Sequence, residues 1–380
     1  MFEPFPGNYS WNLSTNIALN TGAQLNEVLD AIAPVIPLAE DGDSATGAYL
    51  KAYAELGDRL VSLAEEDLAA GHRLSAANKF ERAAVYYVTG ERVQSIGDEA
   101  RKIAYQKMLD AFAAFIDNTD QDLTPVEVPF GDTSFPGLYF QAAVPEGSAH
   151  PVMVHFNGLD STKEMMWGAP LGRELARRGI SSLMIDQPGT GEALRLRGLH
   201  SAHNSEVWAS AAVNYLLSRG DVDPDRVGIV GWSLAGYYVP RAAAFEKRFK
   251  LAATWGANYN WGELQKRRAE REGENPVPHY WEHVQWVFDK PNREEFMKFA
   301  PRMSLESVIG RITVPFLVTH GEHDRQIPLS YARAQYENAV NSPDRELKIF
   351  TDRDGGVEHV GGDNMWPASC YIADWVTERL

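Results

Sequence analysis

The chain has 380 residues, 44% of them hydrophobic, which is enough to bury one large core with room for a smaller appended domain. Against 52 acidic side chains stand 36 basic ones, a net charge of −16 that argues against nucleic acid or an anionic membrane as a partner, and no basic stripe offsets it. The single cysteine, Cys370, excludes an internal disulfide and fits a reducing, cytoplasmic setting.

Met1 to Ser10 lack the basic start and apolar run of a signal peptide, and no window is apolar enough to span a bilayer. From Asn16 to Phe115 the composition is helical. Tyr49, Tyr53, Leu56, Leu60 and Leu63 recur at helical spacing, as do Phe80, Ala84 and Tyr87. This aromatic stripe either lines a cleft or packs against a neighbouring helix, and packing is the simpler account. The polar stretch Asp117–Pro125 marks a boundary, giving a helical domain over residues 1–120 and a second domain over 121–380.

The second domain alternates strands and helices. Val126–Phe130 and Leu138–Val144 read as opening antiparallel strands. The runs Pro151–Phe156, Ile180–Asp186, Val227–Val230, Leu251–Trp255, Val314–Thr319 and Leu347–Phe350 follow, with helical patterns over Ala169–Arg178, Ser205–Ser218 and Leu234–Phe245. Such alternation predicts an α/β fold: a mostly parallel sheet wrapped by helices on both faces, with function collected at the carboxyl ends of the strands.

One of those ends is Gly231-Trp232-Ser233-Leu234-Ala235-Gly236, where a strand turns sharply into a helix with a serine at the apex. This has the form of a nucleophile elbow, although the final glycine of G-x-S-x-G is here Ala235, with Gly236 following. A serine hydroxyl attacks well only when a base removes its proton, and the base needs an acid to orient it. Asp324, just past the strand ending at Thr319, is the expected acid, with Glu322 its rival in the same loop. His359, in a glycine-rich loop after the last strand and the only histidine beyond His323, is the expected base. The oxyanion formed on attack calls for backbone N–H donors, one from Leu234 and a second from the turn after Phe156, where Leu159 and Gly158 are the candidates.

The stretches Asn157–Glu164, Asp186–Glu192 and the Ser233 elbow resemble those of the α/β-hydrolases grouped with the FrsA-like esterases. More narrowly they resemble the carbon–carbon bond hydrolases of that group, from bacterial nicotine breakdown and fungal polyketide shortening. The resemblance covers roughly Val126 to the C-terminus and implies an α/β-hydrolase fold with an N-terminal helical domain, a triad of Ser233, Asp324 and His359, no cofactor, and a possible homodimer. Asn157 stands where the group often has glycine.

Residues 258–303 interrupt the alternation and read as a helical cap rich in aromatics, among them Tyr259, Trp261 and Trp281. These either roof a ring-bearing substrate or fasten the cap to the core, since pockets and packed seams share this composition. The run Lys266–Glu272 reads as a solvated helix face. Glu263 is either an acid that helps protonate a carbanion leaving group or an exposed cap residue. Asp160 and Lys163 are expected to brace the turn that supplies the second oxyanion donor.

His320 and His323 form no closed ligand set, and Gln187–Gly191 lacks the Lys-Ser/Thr pair of a nucleotide cradle, so neither metal nor nucleotide is expected. Three functions remain: a serine hydrolase cleaving a carbon–carbon bond beside a carbonyl in an aromatic or polyketide-like substrate, a carboxylesterase or lactonase with the same triad, and a hydrolase-fold binding protein.

Overall fold

The structure is a computed structural model that describes residues 1–145, 147–270 and 277–380. The chain divides into two compact units. One comprises Met1–Asp122 together with the described residues 277–283, and the other holds the remaining described residues from Leu123 onward.

The first unit is built of α1 (Tyr9–Asn20), α2 (Leu25–Ile32), α3 (Thr46–Ala69), α4 (Arg73–Glu91) and α5 (Glu99–Asn118). Asn8 and Asp98 cap α1 and α5 by accepting the N–H groups of Trp11 and Ala100, which would otherwise lack partners. The tyrosine stripe proves to be core. Trp11, Tyr49 and Tyr53 pack as tilted rings with centroids 4.9 and 4.8 Å apart, and the Thr15 hydroxyl bonds both Tyr49 Oη and Tyr53 Oη at 3.0 Å. All are buried, because a tyrosine can enter a core once its hydroxyl has a partner. Leu63 departs from the expected stripe and is exposed.

The second unit is organised by an eight-stranded sheet: β1 (Leu123–Phe130), β2 (Thr133–Phe140), β3 (His150–Phe156), β4 (Ser181–Ile185), β5 (Val222–Trp232), β6 (Leu251–Trp255), β7 (Phe316–Gly321) and β8 (Arg345–Phe350). Their spatial order is β1-β2-β4-β3-β5-β6-β7-β8, antiparallel through the first three and parallel thereafter. This is the expected α/β-hydrolase architecture. Every residue of β3 is buried, as a central parallel strand covered on both faces requires. His155 within it bonds Ser182 Oγ at 3.0 Å, and burial pushes its imidazole down to about 3, so it is a neutral core residue.

After β3 the chain goes to β4 on one side, then crosses back to β5 on the other, with Phe156 level with Gly231. Open α/β sheets form their ligand crevice at such a switch. The helices that follow the strands are α6 (Lys163–Gly168), α7 (Pro170–Ala176), α8 (Gly191–Arg195), α9 (Glu206–Arg219), α10 (Ala235–Phe245), α11 (Trp261–Glu270), α12 (Tyr280–Val287), α13 (Arg293–Phe299), α14 (Leu329–Asn338) and α15 (Trp366–Thr377).

The stretch 258–303 does not behave as one body. Residues 277–283 group with the helical unit: His279 N–H donates to Asp43 Oδ2 at 3.0 Å, and the Glu282 carboxylate accepts from Ser95 Oγ and the Ile96 N–H. Trp261, by contrast, lies in the sheet unit within a ring cluster, 5.2 Å from Phe288 and 5.6 Å from Phe296. Arg271 and Glu272, the end of the charged run, lie outside the described residues. No helix among the described residues is long and apolar enough to cross a membrane.

Candidate active site

β5 ends at Trp232 and α10 begins at Ala235, so the reversal falls on Ser233, whose φ of 58° lies in the left-handed region. A non-glycine residue there is strained and persists only where its surroundings over-determine it. Part of the restraint is the Ser233 N–H bond to Trp255 O on the neighbouring strand, 2.9 Å long.

The altered elbow pattern has a steric explanation. A Cβ on Gly236 would fall on the Gly256 carbonyl oxygen, where α10 crosses the end of β6, whereas Ala235 has room for its methyl group. The position that must lack a side chain is therefore one residue later than in G-x-S-x-G. Gly236→Ala is expected to cost at least ~1–3 kcal/mol, because rigid backbone must move aside. Ala235→Gly, which restores the usual motif, is expected to cost only ~1 kcal/mol through helix propensity. Thermal unfolding of the two variants side by side checks the contrast.

Ser233 meets the two residues expected to act with it. Ser233 Oγ lies 2.8 Å from His359 Nε2, and His359 Nδ1 lies 2.9 Å from Asp324 Oδ2. Asp324 Oδ1 accepts the N–H groups of Gln326 and Ile327 at 2.7 and 2.9 Å, which aims the other oxygen at the imidazole. Burial alone would push the Asp324 carboxyl up. The electrostatic pull of His359, the hydrogen bond to it, His320 and the Ile327 N–H outweigh that, and the carboxyl sits below the ordinary carboxylate range. It is thus ionised at neutral pH, as an orienting acid must be.

Glu322, the rival acid, instead accepts Asp352 N–H at 2.7 Å and lies beside His323. His320 is buried, with Nδ1 accepting Ala257 N–H at 3.1 Å and Nε2 3.0 Å from Ile327 O, so it is a neutral brace for the acid loop and not a metal ligand. One group of side chains with metal-ligand spacing exists among the described residues: Glu322, His323 and Asp352, on an open surface.

The turn after β3 comes up against the serine. A Cβ on Gly158 would stand 3.0 Å from Ser233 Cβ, tight enough that a side chain there would press on the serine. The Gly158 N–H already donates to Ser161 Oγ at 2.8 Å, while Leu159 is buried next to it.

The same turn rests on a buried polar network that no motif announces. Ser161 Oγ also accepts Trp232 Nε1–H at 3.0 Å and donates to Asn157 Oδ1 at 2.8 Å. Asn157 Nδ2 donates to Ile185 O, and Asn157 and Gln187 exchange two further bonds at 3.0 and 2.8 Å. Asn157 thus joins the ends of three strands, a task for which glycine has no side chain. Lys163 behind it lies among Glu164, Asp186 and Glu192, at 2.7, 3.2 and 3.3 Å.

Tyr259 edges onto the ring of Tyr331 at 6.3 Å, Trp261 is sealed within its ring cluster, and Trp281 packs on Tyr280 at 5.2 Å. Glu263 is exposed and pairs with Arg267, one helical turn on, at 3.3 Å; no hydrogen bond or ion pair links it to Ser233, Asp324 or His359 among the described residues. This is the arrangement of a surface residue.

Residues 175–367, over half of the chain, match the prolyl oligopeptidase family. The chain belongs to that family. It is accordingly a hydrolase of the α/β-hydrolase fold, from a family of serine hydrolases.

Among individual proteins it is 26% identical over 334 residues to 2,6-dihydropseudooxynicotine hydrolase of Paenarthrobacter nicotinovorans, covering 86% of this chain and 82% of that one. It is 30% identical over 268 residues to hydrolase phmG of Phaeosphaeria nodorum, covering 63% and 58% respectively. The crystal structure of 2,6-dihydroxy-pseudo-oxynicotine hydrolase superposes with a TM-score of 0.78 at 21% identity, over 96% of this chain and 95% of that one. AbyA5 superposes at 0.62 and 17% identity, over 84% and 92%. The two superpositions establish a shared fold. The prolyl oligopeptidase match and these relatives agree with the group resemblance read from the Asn157, Asp186 and Ser233 stretches.

Proposed function

We propose that this hydrolase cleaves a carbon–carbon bond beside a carbonyl, in an aromatic or polyketide-like substrate, through an acyl-enzyme on Ser233. The observation that carries the reading is the continuous relay from Ser233 Oγ through His359 to Asp324, at 2.8 and 2.9 Å. His359 Nε2 takes the Ser233 proton as Oγ adds to the carbonyl carbon. The oxyanion is held by the N–H of Leu234, at the start of α10 where helix amides have no partner within the helix, and by the N–H of Leu159. Gly158 serves by its lack of a side chain, since its own N–H is engaged by Ser161.

When the tetrahedral adduct collapses, the carbon–carbon bond breaks and its electron pair goes to the leaving carbon, which takes the proton from His359. Water, deprotonated by His359, then attacks the acyl group and releases an acid while Ser233 recovers its proton. The choice of bond is supported by the resemblance of the Asn157–Glu164 turn and the elbow, and by similarity to the pseudooxynicotine hydrolase across most of both chains.

Ester or lactone hydrolysis by the same triad is the second reading, and the pairing of Glu263 with Arg267 favours it. With Glu263 held by Arg267, His359 is left to protonate the leaving group, a transfer that an alkoxide accepts more readily than a carbanion needing enolate-like stabilisation.

Two matched panels separate the readings: p-nitrophenyl esters and aromatic β-diketones, each turned over by wild type and by Ser233→Ala. Faster diketone cleavage that vanishes in the variant is expected. Ester turnover alone makes the protein an esterase. If wild type acts on neither panel and a fluorophosphonate fails to label Ser233, the catalytic reading is wrong and the fold serves binding.

A further inference from the structure

Arg325 follows Asp324 in the chain and Glu358 precedes His359. Their side chains meet in a two-pronged pair, Arg325 Nη2 at 2.8 Å from Glu358 Oε1 and Arg325 Nε at 3.2 Å from Glu358 Oε2. The two loops that carry the acid and the base are thus joined at the residues next to them, 33 positions apart in sequence. A parallel fork of two charge-assisted bonds fixes orientation as well as distance, which a single contact does not.

The pair adds a side-chain tie to loops that are otherwise joined through their backbones. Glu322 N–H donates to Phe350 O, Glu322 Oε1 accepts Asp352 N–H, and His323 N–H donates to Val357 O at 3.0 Å, so these ties join the two loops as far as Val357. Asp363 gathers the N–H groups of Gly356, Val357 and Glu358 from the far side of the turn. Directly after His359, Val360 has a φ of 48°, a left-handed conformation that is costly for a β-branched residue. Gly361 N–H donates to Glu358 O at 3.0 Å and Gly362 N–H to His359 O at 2.9 Å, which hold the backbone across that strain, and a side-chain tie beside His359 adds to them. Glu358 is the upstream neighbour, and its side chain is largely buried while that of Arg325 reaches solvent.

We propose that Arg325 and Glu358 form a positioning clamp that holds His359 in line between Asp324 and Ser233, neither residue touching substrate. The proposal rests on the catalytic reading of Ser233, Asp324 and His359.

The test needs no knowledge of the substrate: the second-order rate of Ser233 labelling by a fluorophosphonate, measured on the full chain for wild type, Arg325→Met, Glu358→Gln, the double variant and Arg325→Lys, each with its thermal midpoint. Misalignment of reacting groups by a fraction of an ångström to an ångström costs up to about a hundredfold, so each single variant is expected to label roughly tenfold more slowly. Because the two act as one unit, the double variant is expected to be no slower than the slower single variant. Arg325→Lys, which keeps the charge but not the fork, is expected to recover only part of the rate and keeps the question answerable if a truncation fails to fold. Midpoints stay within a few degrees of wild type. On whichever substrate panel is active, kcat falls and KM does not.

Wild-type labelling rates in all four variants, or single losses that multiply in the double variant, would overturn the clamp. So would a fall in midpoint with no fall in rate, which marks a purely structural tie. A wild-type protein that does not label at all removes the catalytic reading and the clamp with it, an outcome distinct from the others.

Discussion

Ser233→Ala is expected to lower turnover by about five to six orders of magnitude, since in the proposed mechanism Ser233 is the nucleophile of a triad, and removing the nucleophile of a cooperating triad costs nearly as much as removing the whole triad. Stability separates this loss from misfolding in an unusual way. Ser233 is held at a φ of 58°, and a left-handed conformation costs a residue with a Cβ ~1–2 kcal/mol. Alanine keeps that strain, while glycine relieves it. Ser233→Gly is therefore expected to be as inactive as Ser233→Ala yet to unfold at a temperature a few degrees higher. Calorimetry and turnover on the two variants measure both halves. An active Ser233→Ala would remove Ser233 from the mechanism, and a glycine variant less stable than alanine would show that the elbow is not strained.

The elbow was legible because its physics is local. An apolar strand, a run of small residues and an amphipathic helix leave few conformations for the residue between them, and Ser233 occupies the expected one. The sheet was legible for a related reason: strands buried on both faces, such as β3, are written as short apolar runs bounded by turn residues. Even so, Gly236 in place of the usual motif glycine is explained only by the Gly256 carbonyl it faces, 20 residues away in sequence.

What sequence does not display is a partnership between polar residues that share no spacing. Asn157, Ser161, Gln187 and Trp232 are unremarkable in composition, and their significance is that all are buried and bonded to one another. A reader of the sequence could have suspected them from polar residues placed directly at strand ends. The aromatic residues around Trp261 posed the opposite difficulty, since a roof over substrate and a packed seam have the same composition. Burial of Trp261 among Phe288 and Phe296 favours the seam. The grouping of residues 277–283 with the helical unit depends on Asp43 and Ser95, more than 180 positions upstream of their partners, which no local pattern conveys.

Lys163→Met is expected to have the largest effect on stability outside the elbow. Its ammonium group is the near neighbour of three carboxylates, those of Glu164, Asp186 and Glu192, of which the first two are buried. Methionine fills similar space but leaves the buried Glu164 and Asp186 without their counter-charge, Glu192 keeping its pair with Arg197, and breaking a buried pair from one side costs ~3–5 kcal/mol. For a chain of this size that lowers the unfolding midpoint by about five degrees.

The dependence on pH identifies the cause. Burial raises the Asp186 carboxyl above its ordinary value, with Lys163 pulling it down and Glu164 adding to the rise. A carboxyl whose folded-state value is raised favours folding most when protonated, so its contribution is full below the ordinary carboxylate range and is lost as pH climbs through the raised value. Removing Lys163 removes the largest downward influence, which widens that loss. The stability deficit of Lys163→Met relative to wild type is therefore expected to be larger at pH 8 than at pH 5.

The deficit should also appear in turnover. Asp186 Oδ1 accepts the Lys163 N–H at 2.7 Å and Asp186 Oδ2 accepts the Glu192 N–H at 2.9 Å, so the carboxylate that loses its counter-charge is the one that pins α6 directly after the turn carrying Leu159. Denaturation at the two pH values, with kcat measured on the folded variant, tests the chain of cause. A deficit that does not change between them would mean that Lys163 stabilises by packing its methylenes, and that charge compensation beneath the turn after β3 is not what holds it in place.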